Sequence, residues 1–368
     1  MPDQNLPATI TINATHLGER INGIGTYILN LLREWALRPT HLHFNVYLHE
    51  QARPHLEGIS FPANFHLHWI GSHLFPDTAN FRRLLFSNYL AMTTRGAAVV
   101  FSPSQLEMTF AGARAIVTVQ DLIPVQIKDH YQKKQSYFYR FLVPRGLARA
   151  EAIIVPSRAT QQAICSHYGI RPEKITVIPY GVQKVPASSV ATRARKYILF
   201  AGRMVPYRNL NTLIQAFLQI QHQIEHDLIL AGEICCDLHV PVGNNRVIVR
   251  GYVAGDELAS LYRGASAFVF PSLAEGFGFP PLEAMAWGCP VISTAEASLP
   301  EVCRDAALIV DPRSADSIAS ALMQILSNQQ VRANLIREGF LRVADLTWDK
   351  TAIAHLQVFE NVLYGQAQ

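Results

Sequence analysis

The feature that most constrains this chain is the run at residues 268–293, FVFPSLAEGFGFPPLEAMAWGCPVIS. Phe268, Val269 and Phe270 have the length and residue types of a buried strand. A loop follows, carrying Glu275 and the glycines Gly276 and Gly278. Pro280 and Pro281 then open a stretch that runs to Trp287, and Gly288 stops it. Proline at the start and glycine past the end is the usual asymmetry of a helix. Val291, Ile292 and Ser293 read as a second strand. Strand, glycine loop, helix and strand in so short a run make a βαβ unit, which belongs in a parallel sheet covered by helices.

The start of such a helix attracts anions. Its first N–H groups lack partners, it carries partial positive charge, and glycines let a ligand come close to the backbone. Glu275 and Glu283 flank that spot. Carboxylates repel phosphate, but they accept hydrogen bonds from hydroxyls. A phosphate cradle with an acceptor on each side suits a ligand built as sugar, diphosphate and ribose. A plain βαβ turn with surface glutamates has the same spacing, and spacing alone does not choose between the two.

The rest of the chain alternates in the same way. Strands are expected at residues 8–13, 44–48, 66–70, 97–101, 115–119, 152–156 and 176–178. Helices are expected at 26–37, 81–94, 131–150 and, capped by Ser157, to 168. Pro144 should kink or divide the third of these. Residues 179–196 have no apolar period and read as a connection. A second series follows, with strands at 197–201, 227–231, 247–249, 267–270, 291–293 and 307–310. Its helices are expected at 211–220, 314–327, 329–343 and 350–363. The implied class is α/β, with two Rossmann-like parallel-sheet domains facing a cleft. The expected divisions are 1–180, a linker at 181–196, a second domain at 197–346, and a closing segment at 347–368.

An apolar fraction of 49% and a charged fraction of 16% fit a soluble globular chain. No basic-then-apolar leader is evident, and no stretch reaches the ~18–20 apolar residues that span a bilayer. Five scattered cysteines suggest reduced thiols and a cytoplasmic setting. His41/His43 and His66/His68 alternate as strand edges do, with no carboxylate or cysteine in register, so no metal is expected. Residues 1–183 carry a formal charge of +6 and the remainder −2. Arg82 and Arg83 fall in a first helical turn, where cations oppose the helix dipole. Residues 131–150 interleave basic and aromatic side chains. Both features fit peripheral contact with an anionic lipid surface. The plainer readings are a solvated face for the arginines and an aromatic core face for the longer helix. No nucleic-acid partner is expected.

The segment Glu275-Gly276-Phe277-Gly278-Phe279-Pro280-Pro281-Leu282-Glu283 closely resembles the two-glutamate, seven-spacer motif of the retaining family 4 glycosyltransferases. That family includes bacterial mannosyl-, glucosyl- and rhamnosyltransferases. The resemblance extends to Asn22-Gly23-Ile24-Gly25-Thr26-Tyr27, Val119-Gln120-Asp121-Leu122, Ile178-Pro179-Tyr180-Gly181-Val182, Ala201-Gly202-Arg203 with Arg208-Asn209, Leu299-Pro300-Glu301-Val302 and Thr347-Trp348. Many motifs in the family's order cover most of the chain. The resemblance implies the GT-B arrangement, with the last helix returning to pack on the first domain.

It also implies roles. Arg203 and Arg208 would grip a diphosphate, where the family usually has arginine and lysine. Glu275 would hold donor-sugar hydroxyls and Glu283 the ribose. Backbone N–H groups near Gly276, Phe277, Gly278 and Leu282 would meet sugar and phosphate. Gly23 and Gly25 would face the donor phosphates, and Tyr252 and Val253 would border the base. Asp121 belongs to a motif that usually reads His-Asp, with the histidine near the donor sugar. Here Gln120 replaces that histidine; an amide hydrogen-bonds a hydroxyl but cannot titrate.

The implied reaction is metal-independent and needs no cofactor. It moves a sugar from a nucleotide-sugar donor to a glycan or lipid-linked glycan acceptor, with retention. Likeness to O-antigen mannosyltransferases points to GDP-mannose; UDP-glucose and a dTDP-sugar remain as alternatives. A catalytically silent GT-B nucleotide- or glycan-binding protein or partner subunit is a second reading, and an epimerase or phosphorylase a third. Acid–base glycoside hydrolysis by the two glutamates is set aside, because Glu283 lies in a helix beside the phosphate site.

Overall fold

The computed structural model describes residues 8–19, 21–71, 80–94, 98–110, 114–127, 133–183, 196–253 and 255–365. Most of the linker expected at 181–196 lies outside them. The chain forms two compact units. One comprises Met1–Val125, Lys134–Gly181 and Trp348–Gln368, the other Gln126–Lys133 and Val182–Thr347.

The first unit is built on seven strands: β1 Thr9–Ala14, β2 His43–His49, β3 Phe65–Ile70, β4 Ala98–Ser102, β5 Arg114–Thr118, β6 Ala152–Val155 and β7 Ile175–Val177. Their order is β3-β2-β1-β4-β5-β6-β7, and every pairing is parallel. The central strands are short, β-branched and buried along their length, as a sheet covered on both faces requires. The chain winds outward from β1 to β3, then returns to the far side of β1 with β4. At that reversal the connections leaving β1 and β4 diverge and open a crevice at their carboxyl ends, the usual ligand position in such sheets.

Three expectations for this unit are corrected. The helix after β1 spans Gly23–Ala36, so Gly23 and Gly25 lie in its first turn and not in a loop. Asn22 starts it early by capping: its Oδ1 accepts the Gly25 N–H at 2.9 Å. The helix Asn80–Thr93 buries Arg83, which is therefore no part of a solvated face. The helix Lys133–Arg149 is one helix with Pro144 inside it, so the proline does not divide it. The bond lost at a proline is local, and the Arg145 guanidinium adds one to the same turn, donating to the Phe141 carbonyl at 2.7 Å. This helix also divides its aromatics. Tyr139 is buried, while Tyr137 and Phe141 are exposed with their rings 4.6 Å apart.

The last helix, Trp348–Tyr364, belongs to this first unit and lies on Gly23–Ala36. Trp35 donates its indole N–H to the Ala352 carbonyl at 3.1 Å, and the Phe359 ring sits 5.0 Å from that of Phe101. His355 is fully buried between the two helices. Its Nδ1 lies 2.7 Å from the Thr351 carbonyl and must donate there, so Nε2 accepts from the Tyr27 hydroxyl at 2.6 Å. The Tyr27 oxygen in turn accepts from Thr118 at 2.8 Å. This chain works only with a neutral imidazole.

The second unit has six strands: β8 Tyr197–Ala201, β9 Asp227–Ala231, β10 Val247–Arg250, β11 Ala267–Val269, β12 Val291–Thr294 and β13 Ala307–Val310. Their order is β10-β9-β8-β11-β12-β13, again parallel throughout, and winding reverses between β8 and β11. The turns after β8 and β9 touch. A Cβ on Gly232, at φ +142°, would stand 1.9 Å from the Gly202 carbonyl oxygen, so only glycine fits.

Burial lowers the His355 pKa from 6.5 to about 4. The unfolded chain therefore takes up a proton below pH 6.5 that the folded chain refuses until about pH 4. Stability should fall across that window by about 3 kcal/mol, at ~1.4 kcal/mol per pH unit. Urea midpoints between pH 7 and 4 should show it, and His355→Gln should flatten this acid limb relative to the parent. An equally steep limb in the variant would remove His355 as the cause.

Candidate functional site

The crevice of the second sheet lies beyond the ends of β8 and β11. Gly202 and Arg203 follow β8, and a single 3₁₀ turn, Pro206–Arg208, comes next. Asn209 ends it at φ +61°, a left-handed conformation that asparagine tolerates. Its Oδ1 accepts from Thr212 at 2.7 Å, which fixes the turn. Arg208 is thereby carried onto the loop that follows β11. Its Nη1 stands 3.0 Å from Glu275 Oε1, with both side chains nearly buried. The guanidinium carbon also lies 4.5 Å from the centre of the Phe270 ring.

The Glu275 loop is held from several sides. Ser272 Oγ donates to Glu275 Oε1 at 2.8 Å, and Ser298 Oγ bonds the carbonyls of Glu275 and Phe277 at 3.0 and 2.9 Å. The Leu273 N–H donates to the Tyr207 carbonyl at 2.8 Å, tying this loop to the Arg208 turn. Gly276, Phe277 and Gly278 are buried in it. Gly278 caps the helix Phe279–Ala286 at φ +99°. Pro280 and Pro281 are the second and third residues of that helix, not the first. They have no N–H, so the helix start offers fewer donors than a helix usually does. Leu282 lies past them, fully buried.

Glu283 stands in the next turn, where its Oε2 accepts the Tyr262 hydroxyl at 2.9 Å. Burial raises the Glu283 carboxyl above its ordinary range, and the Tyr262 bond pulls it partly back. Arg203 differs from Arg208. Its Nε pairs with Glu233 at 3.1 Å on a half-exposed surface, whereas Arg208 is nearly buried. Tyr252 is exposed and Val253 half-buried beyond β10, the edge strand of the sheet.

Four other expected residues belong to the first unit. Gln120 follows β5 with its amide held at both ends: Nε2 donates to Pro103 O at 2.8 Å, and Oε1 accepts from the Tyr180 hydroxyl at 2.7 Å. Asp121 Oδ1 accepts the Ile123 N–H at 3.2 Å. Gly25 gives its N–H to Asn22, and Gly23 is exposed. Sequence reasoning missed Ser272, Ser298, Tyr262 and Tyr180 as partners of the acidic and amide side chains. Ser272, inside the 268–293 run, and Tyr180, within the Ile178–Val182 motif, lay where attention was already drawn. Among the described residues no group of three or more His, Cys, Asp or Glu side chains gathers to hold a metal ion.

Two family models match end to end. Glycosyltransferase Family 4 matches residues 21–184 and Glycosyl transferases group 1 matches residues 183–342. The chain belongs to this family of retaining hexosyltransferases. It is 26% identical over 268 residues to the O-antigen chain mannosyltransferase B of Escherichia coli, covering 67% of this chain and 70% of that one. It is 30% identical over 220 residues to the O-antigen chain mannosyltransferase RfbU of Salmonella typhimurium, covering 57% and 60%. Among solved structures, a sucrose-phosphate synthase from Thermosynechococcus elongatus shares the fold, with a TM-score of 0.77, 19% identity, and coverage of 97% and 100%. Together with the two sheets, this is the GT-B fold.

Removing the guanidinium would strand a buried carboxylate, a change that costs about 3–5 kcal/mol in comparable pairs. Arg208→Met should therefore lower the melting temperature of this glycosyltransferase, while Arg208→Lys, which keeps the charge, should lower it less. Equal melts for the parent and Arg208→Met would show that the contact contributes nothing.

Proposed function

We propose that this family 4 enzyme transfers mannose from GDP-mannose to a hydroxyl of a glycan or lipid-linked glycan. One observation carries the donor site: Arg208 is buried, its Nε has no hydrogen-bond partner among the described residues, and its Nη1 meets the Glu275 carboxylate at 3.0 Å as an ion pair. A buried guanidinium with an unused donor, in the crevice where the sheet reverses, suits a diphosphate. Arg203, more exposed, would reach the same group from the rim. Glu275 would then accept from donor-sugar hydroxyls and Glu283 from the ribose. The loop amides of Gly276, Phe277 and Gly278 would line the phosphates, and Tyr252 with Val253 would border the base. The family relatives named above support mannose as the sugar.

In the step itself the bond between the anomeric carbon and the phosphate oxygen breaks. The acceptor oxygen bonds to that carbon on the same face, and the acceptor proton passes to a phosphate oxygen. Positive charge fixed where the leaving group becomes more negative is the strongest catalytic contribution these residues can make. Incubation with radiolabelled GDP-mannose, UDP-glucose and dTDP-sugars should release label from GDP-mannose. Release only from another donor would replace the sugar assignment. Binding without turnover of any donor would favour a silent nucleotide-binding protein. Glu275→Ala should reduce turnover more than nucleotide affinity, and Glu283→Ala chiefly nucleotide affinity, by calorimetry beside initial rates; equal, negligible effects would remove both roles.

A lipid-linked acceptor would require approach to a membrane, at its cytoplasmic face in this reading. No described helix is long and apolar enough to cross one. The helix Asn80–Thr93 does expose Phe81, Leu85, Tyr89 and Met92 along one side, and Lys133–Arg149 exposes Tyr137 and Phe141 beside Arg140. Neither helix contains an acidic residue. Vesicles containing phosphatidylglycerol should sediment with the protein, pure phosphatidylcholine should not, and Phe81→Ser with Leu85→Ser should weaken the association. Equal recovery on both vesicle types would sink this contact.

A further inference from the structure

The crevice of the first sheet holds a pair of side chains that none of the roles above uses. His16 follows β1, and Glu107 closes the 3₁₀ turn Gln105–Glu107 after β4. These are the two strands between which the winding reverses. His16 Nδ1 lies 2.7 Å from Glu107 Oε1. The Glu107 side chain is 0% exposed, and its Oε2 has no hydrogen-bond partner. Its backbone is fixed as well, with the N–H on Ser104 O at 3.1 Å and the carbonyl accepting from Ser102 Oγ at 2.8 Å. A buried carboxylate with one imidazole as its partner is costly, and folding gains little from it. Such a pair therefore points to use by a ligand.

We propose that His16 and Glu107 form a carbohydrate-hydroxyl site on the first unit, with His16 the contact residue and Glu107 the positioning residue. A carboxylate accepts and does not donate, so it holds the hydrogen of His16 on Nδ1 and leaves the Nε2 lone pair for an incoming donor. Nε2 makes no hydrogen bond among the described residues. The carboxylate behind the ring disfavours an anion such as phosphate, and two side chains are too few for a metal ion. A hydroxyl fits. Gln120, in the same sheet, has its amide tied to Pro103 and Tyr180 and is not free for that role. The assignment rests on the glycosyltransferase reading for its ligand class. The hydroxyl belongs either to the donor sugar or to the acceptor, and the test separates the two.

Histidine-selective 15N spectra of the full chain, assigned with His16→Gln, should show His16 as the Nδ1–H tautomer. Glu107→Gln, whose amide can donate or accept, should lose that bias with the fold intact by circular dichroism. The His16 Nε2 resonance should move on addition of GDP-mannose but not GDP if the hydroxyl is the donor's. It should move with methyl α-mannopyranoside if it is the acceptor's. UDP-glucose with UDP, and methyl α-glucopyranoside, serve as the parallel probes. In turnover, His16→Gln should lower transfer roughly tenfold, the scale of one lost hydrogen bond, with nucleoside-diphosphate affinity within about twofold of the parent. In the donor case hydrolysis falls with transfer; in the acceptor case acceptor KM rises and hydrolysis holds. A resonance unmoved by every sugar, or unaltered kinetics in His16→Gln, overturns the site. If no donor turns over, the transferase reading fails, while the spectra still decide this one.

Discussion

The contact between Arg208 and Glu275 is the constraint on which the second unit's working edge depends. A cation and an anion share a nearly dry space against the Phe270 ring, and neither is tolerable there without the other. Much of the surrounding sequence serves to bring them within reach. Asn209 turns the backbone left-handed so that Arg208 faces inward. Ser272 and Ser298 clamp the opposing loop, and Gly202 beside the guanidinium adopts φ +139°, a conformation other residues rarely hold. The pair is also exchangeable. In the proposed reaction a diphosphate, with more charge to offer, takes over the guanidinium and frees the carboxylate for sugar hydroxyls.

The two sheets repeat one design. In each, the strand order reverses once, between β1 and β4 or between β8 and β11, and a carboxylate from one side of the reversal meets a nitrogen base from the other. The partner chemistry differs. Arginine keeps its charge and suits phosphate; histidine can stay neutral and suits a hydroxyl. In the proposed roles, one topology would thus supply a leaving-group edge in one unit and a sugar-binding edge in the other.

Strand and helix periods made most of the architecture legible in the sequence, because buried parallel strands such as 197–201 and 291–294 are apolar runs with glycine or proline at their ends. The motif around Glu275 and Glu283 marked the second crevice. What stayed hidden depends on pairings that local patterns do not carry. Asn22 extends a helix three residues upstream of its apolar period. Arg83 is charged yet buried. Arg203 and Arg208 look equivalent in sequence and differ in burial because only one has a buried acid to meet. His16 and Glu107 are 91 positions apart, and nothing in either neighbourhood announces the other. The prolines of the 279–286 helix were visible, but their exact places, and so the donors they remove, required the backbone.

The helix Trp348–Tyr364 completes the core of the first unit, yet the chain reaches it only after the second unit has been made. During synthesis, Trp35, Phe101 and the Tyr27 hydroxyl must wait with an apolar groove uncovered while some 160–170 residues of the other unit emerge and fold. The amino-terminal half is then the last to mature. A nascent chain stalled before residue 348 would present that open groove, not a finished domain, to chaperones and to its own copies.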